Sequence, residues 1–289
     1  IGCVMDGNGR WAQLRGQKRT VGHAAGEQAL LDTIDTCHEL GVRWLTVYAF
    51  STENWKRPPT EVRYLMRLNE RLLNDHLDDL DAKGVRIRLL GRRDLRVPPR
   101  LARAFTRAEE RTADNRTLTL SFAFNYGGRA EIVDAVKRLV DAGVSSSSID
   151  EKRIREHLYA PDMPDPDLVV RTSGEYRISN FLLWELAYAE LVFTDALWPD
   201  FSREHLLDAV REYQDRDRRF GKTSKVAPDP LLVADFARRQ RQQELDRAAS
   251  QDEVVDLRAA GAAGSPDTEE LAAPRNGRRL RARVGMARR

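Results

Sequence analysis

Cysteine is almost missing from this chain: Cys3 and Cys37 are the only two in 289 residues. Two thiols are too few for a disulfide framework or a zinc site, so packing is expected to hold the fold, in a reducing compartment. Long apolar runs are missing too. No stretch approaches the roughly 18 to 20 residues that span a bilayer, and no basic-then-apolar leader is present, so a cytosolic location is expected. Nor is there an excess of one charge, since 48 Lys and Arg face 45 Asp and Glu. So near a balance gives no reason to expect nucleic acid; where the basic residues lie matters more than their sum. Internal repeats are absent. Ile1 stands where a chain normally has Met, so the first strand is expected to be trimmed, with Asp6 retained.

What is present points to an α/β fold. Hydrophobic residues make up 41% and charged residues 32%, with mean hydropathy −0.57, as for a globular chain carrying extra polar sequence. Short β-branched runs predict strands at 1–5, 43–50, 85–91, 118–124 and 167–172, with a further short one in AELVFT (189–194). Amphipathic stretches between them predict helices at 22–40, 61–83, 99–112, 129–142, 150–158, 179–189 and 203–217. Gly41 and Gly84 follow the first two as helix stops. Strands and helices that alternate in this way predict a central, mostly parallel sheet flanked by helices in a single domain over 1–221. Beyond it, 222–289 reads as a helical or disordered basic tail, with an isolated helix at 228–249. Its last fifteen residues hold seven arginines and no acid, a composition suited to solvent or to contact with acidic lipids.

Three segments could carry chemistry. In MDGNGRWA (5–12) a carboxylate, Asp6, ends an apolar run and meets Gly7, Asn8 and Gly9, with Arg10, Arg15, Lys18, Arg19 and His23 close behind. Free N–H groups at such a turn suit a phosphate, and an ordinary turn explains the same residues equally well. The loop FSTENWKRPP (50–59) follows the second strand and gathers Ser51, Glu53, Asn54 and Arg57 around Trp55. Open parallel sheets place ligands at such strand ends. The third segment (169–190) brings Arg171 and Arg177 with Ser173 and Ser179, a cationic group suited to a diphosphate. It adds Glu190, an acid that can share a divalent metal with Asp6. Ser179 is the expected N-cap of the 179–189 helix. Two cationic groups and two carboxylates suggest an enzyme holding two anionic substrates.

The strings MDGNGRWA, RTVGHAAG, YAFSTENWKRP, FNYGGRAEIVDA and DLVVRTSGEYRISNFLLWELAYAELVFTDALWPDF, then RRFG at 218–221, resemble the cis-prenyltransferases, the undecaprenyl or decaprenyl diphosphate synthase family. The resemblance implies a central parallel sheet with a hydrophobic tunnel, a homodimer, and Mg²⁺-dependent addition of isopentenyl diphosphate to an allylic diphosphate such as farnesyl diphosphate. The implied product is a lipid carrier for cell-wall synthesis. Trans-prenyltransferases instead carry DDxxD on an all-helical fold, and DDLDA at 78–82 lacks the last Asp.

By that resemblance Asp6 binds Mg²⁺ on the leaving diphosphate, with Glu190 as second metal carboxylate. Gly7, Asn8, Gly9, Arg10, Arg19 and His23 form the allylic diphosphate pocket, and Trp11 is placed with them. Asn8 and Ser51 lie near the proton that isopentenyl diphosphate loses, as supports rather than bases. Glu53, Trp55 and Arg57 match a mobile loop, and Arg171, Arg177 and Ser179 match the isopentenyl diphosphate pocket. Arg219, in Arg219-Phe220-Gly221, matches a residue that reaches toward the neighbouring subunit's site. Tyr176 departs from the His or Gln of many relatives, which puts a metal or cross-subunit role there in doubt. The helix faces at 61–83 and 105–108 and the strand at 118–124 are the expected tunnel wall. A short-chain or irregular synthase is the alternative within the family. A non-catalytic partner subunit would have lost Asp6 and the Gly-rich pocket, which this chain keeps. Beyond the two substrates and a second copy, the only partner anticipated is a membrane, met through product or tail.

Overall fold

A computed structural model of the chain describes residues 1–216 and, beyond them, Arg238 alone. The tail helix expected at 228–249, the expected disorder after it, and Arg219 lie outside the described residues. Six strands form one sheet: β1 (Gly2–Val4), β2 (Trp44–Ser51), β3 (Val85–Leu90), β4 (Leu118–Tyr126), β5 (Leu168–Arg171) and β6 (Glu190–Phe193). Their order is β3-β4-β2-β1-β5-β6 and every pairing is parallel. The strands coincide with the expected runs to within two residues at each end.

Between them lie α1 (Asn8–Leu14), α2 (Arg19–Glu39), α3 (Pro59–Ala82), α4 (Pro99–Arg111), α5 (Gly128–Asp141), α6 (Glu151–Glu156) and α7 (Arg203–Asp215). α3 begins on Pro59, whose missing N–H costs nothing in a first turn. It ends where Gly84 takes φ 71, a left-handed conformation that a side chain would strain. β4 is buried along its whole length, as a central strand covered on both faces must be. The larger core packs α2, α3, α4 and α7 on one face through Leu30, Leu73, Phe105 and Leu206. A smaller cluster on the other includes Met163, Phe181 and Leu182.

One expected helix does not form. Residues 179–189 run as turns, with only a 3-10 turn at Glu185–Tyr188, and Ser179, Asn180 and Leu182 adopt positive φ. Tertiary contacts override helical propensity here. Phe181 and Leu182 are fully buried, and Asn180 ties the segment to α5, accepting from Gly128 N–H through its carbonyl and from Arg129 N–H through its side chain, both at 2.8 Å. Ser179 therefore caps nothing.

The chain leaves the central strand β1 toward β2 on one side and returns through β5 on the other. This is the switch point at which open parallel sheets open a crevice at their C-terminal edge. Asp6, Ser51 and Arg171 follow or close β1, β2 and β5 at that edge.

Candidate active site

At the crevice a cavity of about 640 Å³ runs from polar residues at the strand ends to an apolar interior. Asp6, Asn8, Arg19, His23, Arg57 and Arg171 line its head. Leu30, Leu65, Leu68, Leu72 and Phe122 line its far part. This shape fits an amphiphile with an anionic head and a hydrocarbon tail. Phe105 and Ala108, expected in the wall, are not among the lining residues. Phe105 is fully buried and meets Phe122 edge-on at 5.9 Å.

Asp6 is fixed by its neighbours. Its N–H donates to Thr172 Oγ1 at 2.9 Å, and Gly7, at φ 104, turns back so that its own N–H reaches Asp6 Oδ1 at 2.7 Å. Arg171 Nη2 donates to Oδ2 at 2.8 Å. The arginine side chain is only 4% exposed and the carboxylate 38%, so the pair presents one open face to the cavity. Arg171 also donates to Ser179 Oγ at 2.7 Å and to the Arg177 carbonyl. Asn8 Oδ1, Arg171 Nε and Ser173 Oγ are buried with no partner. Unpaired buried polar atoms cost free energy, and two of these three belong to residues that line the cavity, Asn8 and Arg171, which marks a place shaped for a ligand.

A second group hangs on Glu61, a buried acid in the first turn of α3. Its carboxylate accepts from Arg57 Nη1 at 3.1 Å and Arg19 Nε at 3.3 Å, and meets His23 Nε2 at 3.3 Å. Burial pushes the Glu61 carboxyl up, and the charges of Arg19 and Arg57 outweigh it, so the net shift is downward. Burial, then the Arg57 charge, lower His23, so its imidazole is neutral at pH 7. Gly9 lets the Arg19 guanidinium lie on the backbone, since a Cβ there would meet it at 2.3 Å. Sequence reasoning missed Glu61, Thr172 and Asn180. An acid after Pro58-Pro59 reads as an ordinary helix start, and only the fold reveals its three partners.

The Ser51–Arg57 loop is held to the rest of the rim. Ser51 N–H donates to Asn54 Oδ1 at 3.0 Å, and Asn180 Nδ2 donates to Glu53 Oε1 at 2.9 Å. Burial raises the Glu53 carboxyl, and its bonds from Asn180 and nearby groups more than reverse that.

The cavity thus gathers Asp6, Gly7, Asn8, Gly9, Arg19, His23, Ser51, Glu53, Arg57, Arg171, Arg177 and Ser179 from the expected set. Four expected residues lie off its wall. Arg10 is turned away to the Ser173 carbonyl at 2.8 Å and Glu175 at 2.7 Å. Trp11 donates to Asp200 at 2.7 Å beneath the Arg15 guanidinium. Trp55 supports the loop from behind, donating to Asn125 Oδ1 at 2.8 Å. Glu190 opens β6 opposite Leu168, at the other end of the strand from the crevice, and pairs with Arg216 at 2.8 Å. Within one chain Glu190 and Asp6 do not share an ion, and no group of three His, Cys, Asp or Glu among the described residues could hold one. Tyr176 is exposed against Phe193.

Asp6 nevertheless suits Mg²⁺. That ion takes hard oxygen ligands, keeps several waters, and is held by one or two carboxylates plus substrate phosphates. The open face of Asp6, 38% exposed where it lines the cavity, supplies that donor chemistry.

Known proteins share both sequence and fold. Residues 4–221 match the undecaprenyl diphosphate synthase family model. "Isoprenyl transferase 2" of Corynebacterium glutamicum is 56% identical over 76% of this chain and 92% of its own length. A Thermobifida fusca protein named as a trans,polycis-polyprenyl diphosphate synthase, "(2Z,6E)-farnesyl diphosphate specific", is 52% identical over 80% of this chain and 82% of its own. Among solved structures, lavandulyl diphosphate synthase from Lavandula x intermedia, in complex with dimethylallyl diphosphate, superposes with TM-score 0.73 at 34% identity, covering 76% of this chain and 97% of that one. With the parallel sheet, the two-part cavity and these relatives in agreement, the chain belongs to the undecaprenyl diphosphate synthase family of cis-prenyltransferases.

Proposed function

We propose that this prenyltransferase condenses isopentenyl diphosphate with an allylic diphosphate, farnesyl diphosphate or its (2Z,6E) isomer, lengthening it by C5 units through cis double bonds. The observation that carries the reading is the Asp6–Arg171 pair at the polar head of an apolar cavity, with Arg19, His23, Arg57 and Arg177 lining the same cavity. Arg19 and His23, with the first-turn N–H groups of α1 that include Gly9, receive the allylic diphosphate, and Gly7 makes the turn that presents them. Arg171, Arg177 and Ser179 receive isopentenyl diphosphate. The allylic C1–O bond breaks, and its electron pair leaves on the diphosphate. The terminal alkene carbon of isopentenyl diphosphate bonds to that C1, and the C2 proton passes to an oxygen of the departing diphosphate. Asn8 and Ser51 orient these groups without taking the proton. Mg²⁺ held by Asp6 would neutralise the negative charge developing on the diphosphate. The guanidiniums stabilise the same charge from fixed positions. The lengthened tail then occupies the cavity between α2, α3 and β4.

The chain acts as a homodimer, and its polyprenyl diphosphate serves as a lipid carrier in cell-wall synthesis. Support for pairing comes from α5, where Val133, Val136 and Val140 form an exposed stripe (50%, 45% and 68%). A second reading, a synthase that stops at a short product, is favoured by the Phe122 ring in the far wall. One assay separates these readings. Labelled isopentenyl diphosphate, Mg²⁺ and C10, C15 or C20 primers are incubated with the protein and the products sized. Long products support the first reading and short ones the second; no lipid product with any primer sinks both.

A further inference from the structure

Helix α3 presents a different chemistry on each side. Leu65, Leu68 and Leu72 face the substrate cavity, whereas Arg63 and Arg67 border a second cavity of about 480 Å³ between α3 and the start of α4. Arg100 and Arg103 of α4 complete it, over an apolar floor of Met66, Pro98 and Pro99. Glu70 is the only acid in this lining. All four guanidiniums are exposed, and none has an ion pair or hydrogen bond among the described residues. Arginines nearby do find partners: Arg71 pairs with Glu27, and Arg111 with Asp78 and Asp81. Four like charges beside a single acid over apolar surface repel one another, and the arrangement is relieved by an external anion.

The chain leading into the groove adds a further sign. Leu95 is fully exposed, three residues before Pro98, between Asp94 and Arg96, which pair with each other. The Arg96 guanidinium lies 5.6 Å from the Trp55 ring, and Trp55 belongs to the loop that borders the substrate cavity. The basic groove and the mouth of the site therefore share one rim of the sheet.

We propose that this rim docks on an anionic lipid bilayer, with Arg63, Arg67, Arg100 and Arg103 on headgroup phosphates and Leu95 entering the acyl boundary. A soluble phosphate would want donors converging on one point and would leave Leu95 without a role. Separated arginines over an apolar floor, beside a bare leucine, match a surface that is anionic outside and hydrocarbon within. Docking does not depend on turnover. Its use does rest on the proposed chemistry, since it would bring the mouth of a site releasing a polyprenyl diphosphate to the membrane that takes up the lipid.

The test uses the full chain, without substrates, sedimented with vesicles of phosphatidylglycerol and phosphatidylcholine or of phosphatidylcholine alone. Each basic side chain near an anionic surface is worth about fivefold in affinity. Arg63→Gln/Arg67→Gln and Arg100→Gln/Arg103→Gln are each expected to weaken binding to the mixed vesicles roughly twentyfold, and Leu95→Ser to weaken it further. Thermal melts and turnover in detergent should stay at wild-type values, because these side chains neither pair nor line the substrate cavity. Unchanged vesicle binding in both double variants would assign it to the basic tail and overturn the proposal. Equal binding to phosphatidylcholine alone, or no binding by the wild type, would overturn it too. An enzyme that binds vesicles as expected yet makes no lipid product would refute the chemistry and leave the docking surface standing.

Discussion

Replacing Asp6 with Asn keeps the shape of the side chain and removes its charge, so it separates what the carboxylate does for the fold from what it does for turnover. Arg171 would be left 4% exposed with a neutral partner. Breaking a fully buried pair costs roughly 3–5 kcal/mol. Asp6 is 38% exposed, so solvent already screens its side of the pair, and we expect about 2 kcal/mol. For a domain of this size that lowers Tm by about 4–8 °C in a differential scanning fluorimetry melt. Arg171→Met in the same background removes the stranded charge and should recover most of the lost Tm. Turnover should respond on a different scale. At 20 °C the Asp6→Asn chain should remain folded by circular dichroism, yet loss of the carboxylate proposed to hold Mg²⁺ on the leaving diphosphate should slow product formation about 10³-fold. If Asp6→Asn stays within tenfold of wild type at 20 °C, or if its rate merely tracks the folded fraction, the catalytic role of Asp6 is refuted.

Other perturbations probe the rest of the molecule. Phe122→Ala enlarges the far part of the cavity, should lengthen the longest product by at least one C5 unit, and should cost about 3–5 kcal/mol in a urea titration. Leu72→Trp fills the same region and should shorten it; product sizing by chromatography reads both, and an unchanged ladder would place the chain-length limit elsewhere. Glu185, buried with Oε2 unpaired, is pushed up to about 8, first by burial and then by the charge of Glu131. A carboxyl protonated in the fold and ionised in the unfolded chain withdraws stability as pH rises from 4.5 to about 8, by up to about 1.4 kcal/mol per pH unit. Glu185→Gln should flatten that fall, seen as a smaller drop in the urea midpoint between pH 5.5 and pH 8 than wild type shows.

Strands were legible because each is a short β-branched run, and helix ends because Gly41 and Gly84 break the periodicity at the right places. Asp6 and Arg171 were legible as chemistry because charged residues at the ends of apolar strands have no packing role to explain them. What the sequence hid depends on contacts far apart in the chain. Glu61 gathers Arg19 and His23 from about forty residues away, and Asn180 ties Glu53 to α5. Such contacts leave no periodic trace. The same reason explains the misread segment at 179–189. Its apolar spacing suits a helix, but Phe181 and Leu182 are drawn into a pocket under the sheet that the local sequence does not encode. Arg10 and Trp11 were placed in the pocket by the family resemblance, and in the structure α1 turns both side chains outward to Glu175 and Asp200.

Glu190 raises the sharpest question of placement. The β5–β6 register sets Glu190 beside Leu168 and Phe193 beside Arg171. Three residues at about 3.3 Å each put Glu190 roughly 10 Å down the strand from the level at which Arg171 meets Asp6. Two oxygens bound to one Mg²⁺ lie only about 3–4 Å apart, because each sits about 2 Å from the ion. The two carboxylates of one chain therefore cannot serve one ion in this conformation, and a shared site requires a second copy of the chain. Mixed dimers test this. Asp6→Asn chains and Glu190→Gln chains, each impaired alone, are unfolded together and refolded. A site that takes Asp6 from one subunit and Glu190 from the other would then be whole in the mixed dimer, and activity should reappear. If the mixture stays as inactive as its parts, Glu190 does not act in trans. If Glu190→Gln alone retains wild-type turnover, its role ends at the ion pair with Arg216, which fastens the end of α7 to the edge strand.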